Sequence, residues 1–168
     1  KKYERVNEES ELSAYDSGAK KIPYLVLGNC TGKELENARY EQLLDYVLPY
    51  DAPENAFRVI LGDFVTTEDG TGIVHTAPTF GADDANAARA ATPPVPAMLV
   101  QDENGNLVPL VDLEGKFRPE VGPYAGKYVK NAYYDVEPEK SVDVEIAIQL
   151  KTENKAFKVE KYVHSYPN

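Results

Sequence analysis

His75, Asp83 and Asp84 are the residues whose types and spacing could do chemistry. They lie in GTGIVHTAPTFGADD, residues 70–84, which sets one of the chain's two histidines in an apolar run and two aspartates just past a glycine turn. A carboxylate is the natural partner of an ammonium group, and an imidazole can hydrogen-bond to a polar substrate or to water. Asp84 follows His75 by nine positions, so a chain reversal at Phe80-Gly81 can bring both side chains into one pocket. Gly70 and Gly72 flank Thr71 and let the backbone turn tightly or approach a ligand with no Cβ in the way. Structural alternatives stand beside this reading. His75 can be a core histidine satisfied by a backbone carbonyl, and the aspartates can cap a helix, a role that suits Asp83 well.

Other chemistries lack their residues. Cys30 is the single cysteine, so neither an intrachain disulfide nor a paired-thiolate metal site can form. The ordinary fate of such a cysteine, burial as a small apolar residue, is the expectation for Cys30. His164 stands isolated in KYVHSYP, no HExxH pattern is present, and a structural role is expected for it. GTG lacks the lysine of a phosphate-binding loop, and no G-x-S-x-G turn presents a serine nucleophile.

The elements that must position the motif are read from periodicity and breakers. Twelve Pro and eleven Gly divide the chain into mostly short runs, a spacing typical of strand-rich domains. Apolar runs predict strands at 22–28, 57–65, 71–77, 97–102, 107–112 and 156–166. In the third, strict alternation places Ile73, His75 and Ala77 on one face and Val74 and Thr76 on the other. Asn104-Gly105 predicts a hairpin over 97–112, because both residues accept positive φ. SVDVEIAIQLKTEN predicts a helix over 142–153, with Val142, Ile146 and Leu150 on one face, Ser141 as its N-cap and two acids in its first turn. DDANAARAA predicts a short helix over 83–91 that stops before Pro93-Pro94. The segment 32–47 has helical propensity, but Leu35, Tyr40 and Leu43 fit one face poorly, and its structure stays open. The expected fold is mixed α/β but mainly β: a largely antiparallel barrel with a few peripheral helices.

Composition bounds the partners. With 168 residues and 42% hydrophobic content the chain is expected to form one soluble domain, 1–168, with its own core. A formal net charge of −10 opposes binding along a phosphate backbone by charge alone, so DNA is not an expected partner and any RNA must be held by other means. No window has the ~18 uninterrupted apolar residues of a membrane span, and KKYERVNEES lacks the apolar core of a signal peptide. A cytoplasmic location without membrane partners is expected. The chain opens without Met, its last expected strand stops at Tyr166-Pro167, and it holds 12 Tyr but no Trp, which fits a piece of a longer protein.

The stretch AFRVILGDFVTTEDGTGIVHTAPTFGADD, residues 56–84, closely resembles the editing domain of the isoleucyl-tRNA synthetases, the insertion in the catalytic fold of those class I enzymes. The resemblance continues through DENGNLVPLVD, GPYAGKYVKNAYY and EIAIQLKTENKAFKVEKYVHSYP, essentially the whole chain. The sibling valine and leucine synthetases share the GTG strand and the later Asp but differ where this chain has His75 and Phe80-Gly81. The resemblance implies hydrolysis of valine misattached to the isoleucine tRNA. In that family's pattern Asp84 holds the α-ammonium and His75 lies beside the side chain and ester, with Gly72, Phe80 and Gly81 completing the binding segment. It implies attack by an ordered water with help from the terminal ribose hydroxyl, and the 3′ aminoacyl end of the isoleucine tRNA and the rest of the synthetase as partners. No cofactor is implied in this domain; any ATP or zinc requirement belongs to the parent enzyme. The family's N-terminal Thr-rich segment is absent, and Thr66-Thr67 is not its equivalent. The alternatives are a non-catalytic β-rich binding or interaction module, in which His75 and Asp84 are structural, and the editing domain of a valine or leucine synthetase.

Overall fold

Among the described residues the strands form two short two-stranded sheets, and no closed barrel is present among them. The computed structural model describes residues 2–16, 19–68, 71–136 and 138–160. These divide into two compact units, Lys1–Glu36 and Asn37–Asn168.

In the first unit, β1 (Lys2–Val6) pairs in parallel with β2 (Lys21–Leu25), Tyr3 opposite Ile22 and Arg5 opposite Tyr24. The strand expected at 22–28 is therefore present but shorter, and its partner is a charged run with no apolar signal. A parallel pair needs a crossover, here built around a 3-10 turn at Glu9–Ala14. The Glu11 carboxylate fixes the start of that turn by accepting from the amides of Asn7 and Glu8 at 2.9 and 3.0 Å. The segment 32–47 forms only a 3-10 turn, Gly32–Leu35, and the two units part between Glu36 and Asn37. Asn37 has φ 65°, which no helix continues through. Cys30 is exposed, so the expectation of burial fails there: its neighbours form no hydrophobic cluster.

In the second unit, β3 (Leu99–Gln101) and β4 (Leu107–Pro109) form the expected antiparallel hairpin, with Val100 opposite Val108. Its turn differs from expectation, because Gly105 has φ 83° while Asn104 does not enter the left-handed region. The reason is Asp102. Its carboxylate accepts from the amides of Asn104 at 2.9 Å and Asn106 at 2.8 Å, and its carbonyl accepts from Gly105, so one left-handed residue closes the loop. DLEGK repeats the device: Asp112 accepts from the amides of Glu114 and Lys116 at 2.9 and 2.8 Å, with Gly115 at φ 83°.

α1 (Ala82–Ala90) and α2 (Val142–Thr152) match the two expected helices within a residue or two. Ser141 caps α2 through the amide of Val144, at 3.4 Å. Val142 and Ile146 then pack with Val121, Tyr124, Tyr46, Leu110 and Phe117 into the core of this unit. Gln149 lies between the hydroxyls of Tyr124 and Tyr46, at 2.5 and 3.1 Å, and burial pushes the Tyr124 phenol above its ordinary pKa.

The remaining expected strands are not formed. Over 57–65, Phe57 takes φ 53° and bends the chain out of the extended region, leaving an isolated bridge between Arg58 and Arg39. Residues 71–77 pair with no described strand, and 156–160 are irregular, with the rest of 156–166 outside the described residues. The described sheets do not close, and half of their strand pairing is parallel, so neither a barrel nor a largely antiparallel sheet describes them. No described helix is long and apolar enough to cross a membrane.

Hydrogen bonds to Asp102 and Asp112 from the backbone that follows hold both carboxyls below their ordinary pKa. A depressed folded pKa gives stability that is complete above the unfolded value, about 3.9, and is lost as pH falls through the folded value. Amide shifts of Asn106 and Lys116 should therefore titrate below pH about 4, and Asp102→Ala should abolish the transition at Asn106 alone; a midpoint above about 4 contradicts this. Val142→Ala removes two buried methyl groups and should cost about 2 kcal/mol, read as a lower urea midpoint at unchanged slope.

Candidate functional site

The site is built around a turn that leaves an extended segment and enters α1. The Ala77 carbonyl accepts from the amides of Phe80 and Gly81, at 3.0 and 3.2 Å, which reverses the chain at the predicted place. Gly81 is the N-cap of α1, and its carbonyl accepts from Ala85 at 2.9 Å. Asp83 is exposed in the first turn and does not cap the helix. Asp84, half-buried, reaches back instead: its Oδ2 accepts from the Ala77 amide at 2.9 Å. The carboxylate thereby ties α1 to the segment that carries His75, two residues upstream of the bond.

Gly81 makes this possible. A Cβ at that position would stand 2.7 Å from Asp84 Oδ2, although φ −113° is open to any residue, so the demand is for space and not for backbone freedom. At Gly72 both demands act: φ is 75°, and a Cβ would meet the Thr67 methyl at 3.0 Å. Thr66-Thr67 thus backs the glycine turn directly. Gly70 and His164 lie outside the described residues.

His75 is exposed, as are Ile73 at 63% and Val74 at 51%. The reading of His75 as a core histidine does not hold: residues 71–77 pair with no strand among the described residues that would give them a face to bury. Phe80, at the tip of the turn, is 66% exposed. Asp84 has one carboxylate oxygen committed to the backbone; its other oxygen accepts no hydrogen bond among the described residues. The arrangement is a fixed carboxylate beside a glycine turn, with an accessible imidazole on the segment to which it is tied.

The residues that hold this turn were not legible as such in the sequence. Thr79 Oγ1 accepts from the Met98 amide at 3.0 Å, and Val95 donates to the Ala88 carbonyl at 2.9 Å, so 93–98 runs as a strap along α1. Ala88, 1% exposed, lies beneath it. Arg58, the only charged residue in the buried class among the described residues, donates to the carbonyls of Asn55 and Pro93 and to Asn37 Oδ1. Its one sequence signal is a cation inside the apolar run AFRVIL. Among the described residues no group of three or more His, Cys, Asp or Glu side chains is gathered as a metal would require.

Over 94% of its length the chain is 51% identical to the isoleucine–tRNA ligase of Cytophaga hutchinsonii. It is 47% identical to that of Porphyromonas gingivalis over 93%, and 40% identical to that of Thermoplasma volcanium over 86%. This chain is homologous to a segment of the isoleucine–tRNA ligases. It spans 15% of the length of the first two ligases and 12% of the third. No family model matches it.

Within this ligase segment, Gly81→Ala should displace the Asp84 carboxylate and free the Ala77 amide. A hydrogen bond to a charged acceptor is worth about 1.5 kcal/mol or more, so exchange of the Ala77 amide should rise about tenfold, as it should in Asp84→Ala. Unchanged protection in both variants would show that the bond does not hold the turn.

Proposed function

We propose that this chain is part of the editing module of an isoleucine–tRNA ligase, and that it takes part in hydrolysing the ester of valine-charged isoleucine tRNA. The chemical need is a limit on recognition. One missing methylene changes binding by only about 1–3 kcal/mol, a range for which the isoleucine and valine pair is itself the standing example, not a value derived from this chain. A second site that destroys the smaller product answers that limit.

The observation that carries the reading is the placement of Asp84. Its backbone bond fixes the carboxylate, and its second oxygen is left for the α-ammonium that every aminoacyl ester presents. His75, exposed on the tied segment, stands beside the amino-acid side chain and limits its size, with Gly72, Phe80 and Gly81 lining the approach. An ordered water attacks the ester carbonyl, the bond from the acyl carbon to the ribose oxygen breaks, and that leaving oxygen takes up the water's proton with help from the terminal ribose hydroxyl, so His75 need not serve as the base. Homology over nearly the whole chain supports this reading, as do relatives that carry the isoleucine name and not that of a sibling synthetase.

The rest of the proposal follows the parent enzyme. Its other parts supply the Thr-rich segment, the strands that close the editing barrel around residues 71–77, most of the hold on the tRNA, and any ATP or zinc. The location is cytoplasmic.

Anchor and wall separate by phenotype in the full-length ligase. Asp84→Ala removes a charge-assisted bond of about 1.5–3 kcal/mol, so deacylation of valine-charged tRNA should fall by one to two orders of magnitude while charging persists. His75→Ala should enlarge the pocket and let isoleucine-charged tRNA be hydrolysed as well. Deacylation assays with both esters decide: loss of both together at position 75 would make His75 the base, and unchanged rates in both variants would sink the editing reading.

A further inference from the structure

We propose that Arg58 is a positioning residue for Asp84, acting through the strap 93–98; this rests on the reading of Asp84 as the ammonium anchor. Arg58 is 7% exposed, and each of its donor nitrogens meets an oxygen of a different segment. Nε donates to the Asn55 carbonyl at 3.1 Å, Nη1 to Asn37 Oδ1 at 2.5 Å, and Nη2 to the Pro93 carbonyl. The Asn37 segment is paired with Arg58's own run: the amide of Asn37 donates to Val59 O at 2.9 Å, and that of Val59 to Ala38 O at 2.8 Å. The Pro93 segment is where the chain has just left α1.

From Pro93 the connection runs to both ends of α1. Val95 donates to the carbonyl of the buried Ala88 near the C-terminal end, and Met98 is held by Thr79 in the turn before the N-terminal end. Asp84 sits in the first turn of that helix with its carboxylate on Ala77. A shift of the strap therefore moves the carboxylate against the segment bearing His75. Among the described residues no hydrogen bond joins Arg58 to the site itself, so its effect is on geometry, where a misplacement of about 1 Å can cost about 10²-fold in rate.

A planar fork is needed because three acceptors lie in three directions; a lysine at 58 supplies one compact ammonium and can hold only part of the set. In the full-length ligase, Arg58→Gln should lower kcat for deacylation of valine-charged tRNA about tenfold, with KM and the charging rate unchanged, and Arg58→Lys should restore part of it. The decisive readout is a double-mutant cycle. If Arg58 acts through Asp84, Arg58→Gln should have no further effect in an Asp84→Ala background, whereas independent effects multiply. Amide exchange over 77–91 supplies a second reading, with faster exchange at Ala77 expected in Arg58→Gln. Multiplying effects, unchanged exchange at Ala77, or equal losses of charging and deacylation would each overturn the proposal. If Asp84→Ala alone leaves deacylation intact while Arg58→Gln still loosens Ala77, the anchor reading fails and the proposal falls with it, though the mechanical link stands.

Discussion

A guanidinium withdrawn from water must be met by oxygens, and in the second unit this demand organises the ground on which the candidate site stands. Removing such a charge from solvent costs several kcal/mol unless its donors are satisfied. Among the described residues Arg58 is met by carbonyl and amide oxygens, drawn from residues 37, 55 and 93, with no carboxylate among its hydrogen-bond partners. Distant parts of the sequence are thereby fixed around one planar group. The apolar core of Val121, Tyr124 and Val142 is assembled from α2 and the 3-10 segment Pro119–Tyr124. The site region, poor in large buried side chains, depends on polar ties in place of packing.

Asp84 is a second polar tie of this kind. At the third position of a helix, a carboxylate lies near amides that lack intrahelical partners and near the positive end of the helix dipole. Asp84 bonds instead to the amide of Ala77, outside the helix. A short side chain is needed for that reach, and the missing Cβ of Gly81 leaves the space. One oxygen gives position, and the other accepts no hydrogen bond among the described residues. In the editing reading this is economical: the same group that closes the turn recognises the part of the substrate that all amino acids share.

The helices and the hairpin were legible in the sequence because their signals are local. Ser141, the acids at 143 and 145 and the four-residue recurrence define α2 within the residues that form it, and Asp-x-x-Gly specifies a turn within five positions. Strands fared worse for a physical reason. An apolar run states what a strand could bury, but a strand exists only when another backbone meets its amides and carbonyls, and the run does not say whether one does. TGIVHTA has the composition but no partner among the described residues, FRVILGDFV keeps only a short bridge of 57–59 to 37–40, and the charged KYERV has the partner without the composition. At the candidate site, the chain reversal could be read from spacing. The bond from Asp84 to Ala77 and the role of Arg58 could not, since each joins groups whose meeting depends on the turn already being formed.

The contrast between Asp84 and His75 bears on how discrimination could be achieved. An anchor for an ammonium does not distinguish valine from isoleucine, so the difference must be made where the side chain ends, by a wall that does not yield. Asp84 is held by its backbone bond and half-buried. His75 is exposed, with exposed Ile73 and Val74 beside it and no hydrogen bond among the described residues. A side chain so placed keeps its rotamer freedom, and a wall that can rotate away excludes little. In the proposed function the anchor is therefore intrinsic to this chain, while the stiffness of the wall comes from what packs against residues 71–77 in the parent ligase or from the aminoacyl end itself. Accurate sieving then belongs to the assembled enzyme, and ammonium recognition to the turn encoded here.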